Sequence, residues 1–288
     1  MPTARAISVL ATAALATATG LASSAQAATP SPAHASTAAS APARSHPTAA
    51  ARSGHPFVSI PAKGLAHFTK LLHSTQSRRH GLGAANQTSA NWSGYAATTG
   101  GYTVVSSSWT EPSVSCTSDG IVAFWIGLDG WGSSTVEQDG TGVDCSSGSP
   151  EQFAWWETYP ENDIEEYGDY VAAGDSMTST VTYEGGNEYD MVLTDNTEGW
   201  TENNPVAGPS GAQNASAEVI AEAVTSNGSV TELPDFGQVD FTGSTIDGAS
   251  LQNQGAQAVD MIDGSGNVIA STGTADSGGD FSVTYAGS

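Results

Sequence analysis

The sequence predicts an all-β domain, built as an antiparallel β-sandwich of two sheets. From Asn91 onward, short runs of β-branched and aromatic residues alternate with Gly, Ser, Asn and Asp, the punctuation of strands joined by tight turns. No segment there sustains an apolar period of 3.6 residues, so helices are not expected. A region of about 200 residues is long enough for one well-buried core. Strands following strands without helices between them favour antiparallel sheets packed face to face.

The expected strands are Tyr102–Trp109, Ile121–Leu128, Phe153–Tyr159, Ser176–Tyr183, Tyr189–Thr194, Ala217–Val224, Gln238–Thr242, Ala258–Ile262 and Phe281–Tyr285. Ahead of them lie two segments of different character. Residues 1–27 read as a secretory signal: Arg5 supplies the charged start, Ala6 to Ala18 a weakly apolar run, and Ala25-Gln26-Ala27 a cleavage site. The run is too short to anchor a membrane. Residues 28–85 read as a basic propeptide. Its first part is rich in Ala, Ser, Thr and Pro and is expected to be disordered. Its second part, Phe57 to Leu72, has an amphipathic pattern, and Arg78-Arg79 offers a processing site. Residues 86–288 form the acidic domain. The expectation is a secreted, extracellular protein whose propeptide neutralises and shields the domain. Cys116 and Cys145 are then expected to form a disulfide, tying the end of an early strand to a later loop.

Charge narrows the chemistry. The chain has 7 Lys and Arg, 6 His and 30 Asp and Glu, for a net charge of -23. Every Lys, Arg and His lies at or before His80, and every acid lies after it. The domain therefore has no imidazole for a Ser-His-Asp or Cys-His arrangement and none for a zinc site. Nothing basic remains to meet phosphates, so nucleic acid is not a partner. Acid–base work there falls to carboxyls, amides, hydroxyls and water. Self-repulsion among the acids predicts a domain more stable near pH 3–4 than near pH 8.

In a strand, residues two apart share a face. Glu218 and Glu222 then share one with Ile220 and Val224. Trp125 and Asp129 align on another strand, Val136 and Gln138 on a third, and Phe153, Trp155, Glu157 and Tyr159 on a fourth. Rings alternating with carboxylates suit a groove that grips an extended chain. This periodicity does not distinguish peptide from sugar. Glu137, Glu165 and Glu166 read as surface acids.

Several stretches occur in an order that resembles the glutamic peptidases, the eqolisins. They are Asn91-Trp92-Ser93-Gly94-Tyr95, Trp125-Ile126-Gly127-Leu128-Asp129-Gly130, Val136-Glu137-Gln138, Ala154-Trp155-Trp156-Glu157-Thr158-Tyr159-Pro160, Ala217-Glu218-Val219-Ile220-Ala221-Glu222 and Asp235-Phe236-Gly237-Gln238-Val239-Asp240-Phe241. The resemblance covers about Asn91 to Tyr285. It implies an acid endopeptidase that cleaves polypeptides on a concanavalin A-like (jelly-roll type) sandwich. A monomer is expected, and no cofactor or metal is implied. It places the catalytic pair on Gln138 and Glu222. Trp92, Trp125, Asp129, Trp155, Glu157 and Tyr159 are candidates for substrate-binding or supporting roles. The chain departs from the family pattern at Val219, usually Trp, at Glu137, usually apolar, and at Phe153, an aspartate in fungal members. The last bears on substrate preference.

The chemistry suits these residue types. A glutamate can take a proton from water and return it to the leaving amine. A glutamine can donate to the oxyanion and hold the water while remaining uncharged in acid. Two readings compete with this one. A glycoside hydrolase would use Glu157 and Glu222 as paired carboxylates, with no need for Gln138. A lectin-like carbohydrate-binding sandwich would use the acidic loops near Asp163, yet a clustered calcium motif is missing from the sequence.

Overall fold

The computed structural model describes residues 86–226 and 229–287. The expected signal and propeptide segments lie outside the described residues. The described residues are all β. In chain order the strands are β1 (Gln87–Ser89), β2 (Trp92–Ala97), β3 (Val104–Thr110), β4 (Ile121–Asp129), β5 (Val136–Asp144) and β6 (Glu151–Tyr159). There follow β7 (Asn162–Glu166), β8 (Ser176–Gly185), β9 (Glu188–Asp195), β10 (Trp200–Ala207), β11 (Ala217–Ala223) and β12 (Thr225–Ser226). The last are β13 (Ser229–Val230), β14 (Gln238–Ile246), β15 (Ala249–Ser250), β16 (Gln257–Ile262), β17 (Val268–Thr272) and β18 (Phe281–Tyr285).

Hydrogen bonding runs continuously along β10-β9-β8-β3-β14-β18-β17-β16-β2-β11-β4-β5-β6-β7. The pairings on this path are antiparallel, and the short β1 adds a parallel pairing to β16. The path folds back on itself. β4 lies across the core from β3 and β8, β5 lies across from β8 and β9, and β11 lies across from β3 and β14. Each predicted strand is present, most of them extended by a residue or more. Composition hid β10, which carries Asn203, Asn204 and Pro205. It is an edge strand, where Pro is tolerated because one side of the backbone needs no partner.

The main core lies between the two layers. Val122, Phe124, Ile126 and Leu128 of β4 meet residues such as Met177, Val181, Met191 and Phe241. Alternate residues of the same strands form a second apolar layer on the opposite face: Trp92, Ala123, Trp125, Phe153, Trp155 and Ile220, among others. β4 and β11 are therefore buried along their whole lengths. The expected disulfide joins Cys116 to Cys145, with Cα atoms 5.2 Å apart.

The same alternation corrects one expectation. Glu137 is not a surface acid but fully buried. Its register partners are Leu128 and Thr158, so it points with Leu128 into the main core. Glu165 is exposed and Glu166 half-buried.

Candidate active site

Three rows of side chains cross the sheet on the face away from the main core. Register aligns Ala96, Glu218, Gly127, Gln138 and Glu157 in the first row. The second is Gly94, Ile220, Trp125, Gly140 and Trp155, and the third is Trp92, Glu222, Ala123, Gly142 and Phe153. Gln138 and Glu222 thus share a face, two strands and two rows apart. Gly127 is required beside Gln138, because a Cβ there would lie 2.9 Å from the Gln138 Cβ.

Glu222 is fully buried. Asn91 Nδ2 donates to its Oε1 at 2.9 Å, and Trp125 Nε1 donates to its Oε2 at 2.9 Å. The Trp92 N–H lies near the same carboxylate without a hydrogen bond of ordinary geometry. Burial pushes the Glu222 pKa well above the usual carboxylate range. The indoles of Trp92 and Trp125 and the Asn91 amide pull it back, and the charge of Glu157 adds to the rise.

Gln138 donates from Nε2 to Glu157 Oε2 at 2.6 Å. Both side chains are buried, and Gln138 Oε1 and Glu157 Oε1 make no hydrogen bond. Burial raises Glu157 to about 8, against the lowering effect of the Gln138 donor and with a further rise from Asp163. Glu157 links the pair: it holds the amide of Gln138, and Glu222 feels its charge.

The remaining sequence candidates take different places. Trp92 and Trp125 pack edge to face with ring centroids 5.0 Å apart. Trp155 is fully buried in the middle row, and its N–H makes no hydrogen bond. Tyr159 is half-buried at the end of β6, opposite Val136 and before a cis peptide to Pro160. Asp129 neither orients Gln138 nor reaches Glu222. Its carboxylate accepts the backbone N–H groups of Gln213, Asn214 and Ala215 at 2.7–2.9 Å and the Thr135 hydroxyl at 3.3 Å. Its work is to hold the segment leading into β11. Among the described residues, no group of three or more His, Cys, Asp or Glu side chains is placed to hold a metal ion.

Asn91, which touches Glu222, was not among the sequence candidates. It lies in the Asn91-Trp92-Ser93-Gly94-Tyr95 stretch, 131 residues from the carboxylate it touches. Its adjacency to Trp92 was the available signal.

The site therefore joins a buried glutamate with two donors to an amide with an unspent acceptor. A family model described as the Peptidase A4 family matches residues 90–285. The chain is 28% identical over 222 residues to aspergillopepsin-2 of Aspergillus niger, covering 68% of this chain and 78% of that protein. It is similar to the crystal structure of scytalido-glutamic peptidase with a peptide-based transition-state analog, at a TM-score of 0.60 and 25% identity, covering 68% and 98% of the two chains. Aspergilloglutamic peptidase from Aspergillus niger matches at a TM-score of 0.51 and 26% identity, covering 58% and 99%. SCP-B, an eqolisin solved with the tripeptide Ala-Ile-His, shares the fold at a TM-score of 0.56 and 22% identity, covering 68% and 98%. These relatives displace both carbohydrate readings. The chain belongs to the Peptidase A4 family and is a glutamic endopeptidase.

Proposed function

We propose that Glu222 and Gln138 are the catalytic pair, and that they hydrolyse peptide bonds by activating a water. The observation that carries this is the free Gln138 Oε1, buried on the same face as a carboxylate held by two donors. An amide oxygen with no partner suits the nucleophilic water, and the amide hydrogen not given to Glu157 suits the oxyanion. Glu222 as carboxylate takes the proton of that water as its oxygen attacks the scissile carbonyl. The resulting acid then protonates the leaving amine, and the C–N bond breaks. Burial makes the ionised form of Glu222 a stronger base. The rate through it climbs as pH rises toward its raised pKa.

Extended polypeptides are the substrates, as the peptide-based ligands of two solved relatives suggest. The two packed layers support a concanavalin A-like sandwich. The signal-like residues 1–27 and the disulfide favour secretion. Residues 28–85, basic and without acids, suit a zymogen segment removed in acid. Intact-mass measurement of the secreted product before and after acidification tests that step.

The central experiment compares Gln138→Ala and Glu222→Gln on a denatured protein substrate at acidic pH. Loss of one oxyanion donor lowers kcat by about 10²–10³, and loss of the proton carrier by at least as much. Near-normal proteolysis by either variant would falsify the assignment.

A further inference from the structure

We propose that Trp131 is a specificity-determining residue, forming the wall of a subsite for a large apolar side chain next to the scissile bond. The inference rests on the catalytic reading of this face and extends it to substrate class.

A continuous line of indoles connects Trp131 to the chemistry. Trp125 donates to Glu222 at 2.9 Å, Trp92 packs on Trp125 at 5.0 Å, and Trp131 packs on Trp92 at 6.1 Å with an interplanar angle of 44°. Trp92 and Trp125 are buried, whereas Trp131 is half-buried. Of these rings, only Trp131 reaches the rim. A partly buried Trp packed against a buried aromatic layer leaves some apolar surface that a substrate side chain can cover.

The ring is held in place. Gly130 and Gly132 flank it with φ of 103° and 78°, in the left-handed region that side chains avoid. A Cβ on Gly130 would lie 2.9 Å from the Trp92 ring, so the turn sits directly on that indole. Trp131 N–H donates to Ser216 Oγ at 3.1 Å, Gly130 N–H to Ser133 Oγ at 2.8 Å, and Ser133 Oγ to the Thr135 carbonyl at 2.9 Å. Glu218 is buried near Ser216 and the Trp131 backbone, with no hydrogen bond of ordinary geometry. The turn is thus pinned by its backbone. Such an anchor loses little freedom when it binds.

Charge sets the complement. The domain has no Lys, Arg or His, and the face carries Glu157, Glu218 and Glu222, so nothing there pairs with an acidic substrate side chain. Burial holds these carboxyls above the usual range.

The test uses the full chain, matured at acidic pH, and quenched peptides that differ only in the residues flanking the cleaved bond. Phe, Leu, Ala and Glu are compared on each side in turn. Wild type should prefer Phe and Leu. Trp131→Ala should lose about tenfold or more in kcat/KM on those peptides, with the Ala peptide within about twofold, since apolar pocket contacts discriminate on this scale. Trp131→Phe should keep most of the preference. An unchanged profile in Trp131→Ala, or an equal loss on every peptide, overturns the proposal. Glu222→Gln runs in parallel: if it cleaves every peptide at the wild-type rate, the catalytic assignment fails whatever Trp131 does.

Discussion

Glu222 is set between opposing influences. Burial favours its neutral form, while the N–H groups of Asn91 and Trp125 favour the carboxylate. A carboxylate can only accept, so two donors aimed at its two oxygens fix both its orientation and its basicity. On the proposed mechanism Asn91 is thus a positioning residue. Asn91→Ala should raise the Glu222 pKa further and move the acidic limb of the pH–rate profile to higher pH. A hydrogen bond to a charged group is worth about 1.5–3 kcal/mol, so kcat below that limb should fall by about tenfold or more. KM should change little. A profile that drops uniformly at all pH values would show that Asn91 serves only the fold.

Strand β5 carries two sets of polar residues on opposite faces. Gln138 points to the active-site face, and Glu137, Asp139 and Thr141 point to the main core. A slip of one residue would exchange them, burying the amide in the core and turning the acids onto the active-site face. Register therefore needs firm anchors. One is the disulfide, since Cys145 directly follows β5 and its bridge to Cys116, over a separation of 29 residues, encloses the β4–β5 hairpin. Closing a loop of that length stabilises by about 3–4 kcal/mol. Replacing both cysteines by Ser should lower Tm by roughly 10 °C, given about 2–4 °C per kcal/mol in a domain of this size. Activity at room temperature should survive, because Gln138 lies toward the other end of the strand. An unchanged Tm would mean that the bridge contributes nothing to the hairpin.

At the scale of the whole molecule, the space between the layers holds an unusual set of acids. Glu111, Glu137 and Asp139 are all buried. Thr141 donates to Glu111 at 2.5 Å, and Ser179 donates to Asp139. Neither Glu137 oxygen makes a hydrogen bond of ordinary geometry, although the Tyr189 hydroxyl lies near and opposes the rise in its pKa. Burial raises Glu111 to about 8 and Glu137 to about 9, both from 4.5, and Asp139 to about 7 from 3.8. The folded chain therefore holds more protons than the unfolded one. The stability these groups lend is complete below about pH 4 and is lost as pH climbs through 7 to 9. Tm should be highest near pH 3–4 and fall steadily toward pH 8. Glu137→Gln with Asp139→Asn, which cannot ionise, should flatten that fall and raise Tm at pH 7 by at least about 2–4 °C. An equally steep fall in the double variant would show that Glu137 and Asp139 do not cause it. On the proposed mechanism, ionisation of Glu222 bounds activity from below, and ionisation of the core bounds it from above.

The all-β class and the glutamic peptidase family were legible in the residues alone. Turn punctuation and missing helical periodicity mark an all-β domain, and a region without Lys, Arg or His restricts acid–base work to carboxyls and amides. The ordered stretches around Gln138 and Glu222 supplied the family, and two cysteines sufficed for the bridge. A strand read by itself has two faces, however, and β4, β5 and β11 carry buried residues on both. Which face meets the core depends on partners remote in sequence. Only tertiary packing placed Glu137 and Asp139 between the layers, gave the Asp129 carboxylate to three backbone amides, and brought Asn91 across 131 residues to Glu222. Strand periodicity specifies alternation, and register with neighbouring strands assigns each alternate set to its side.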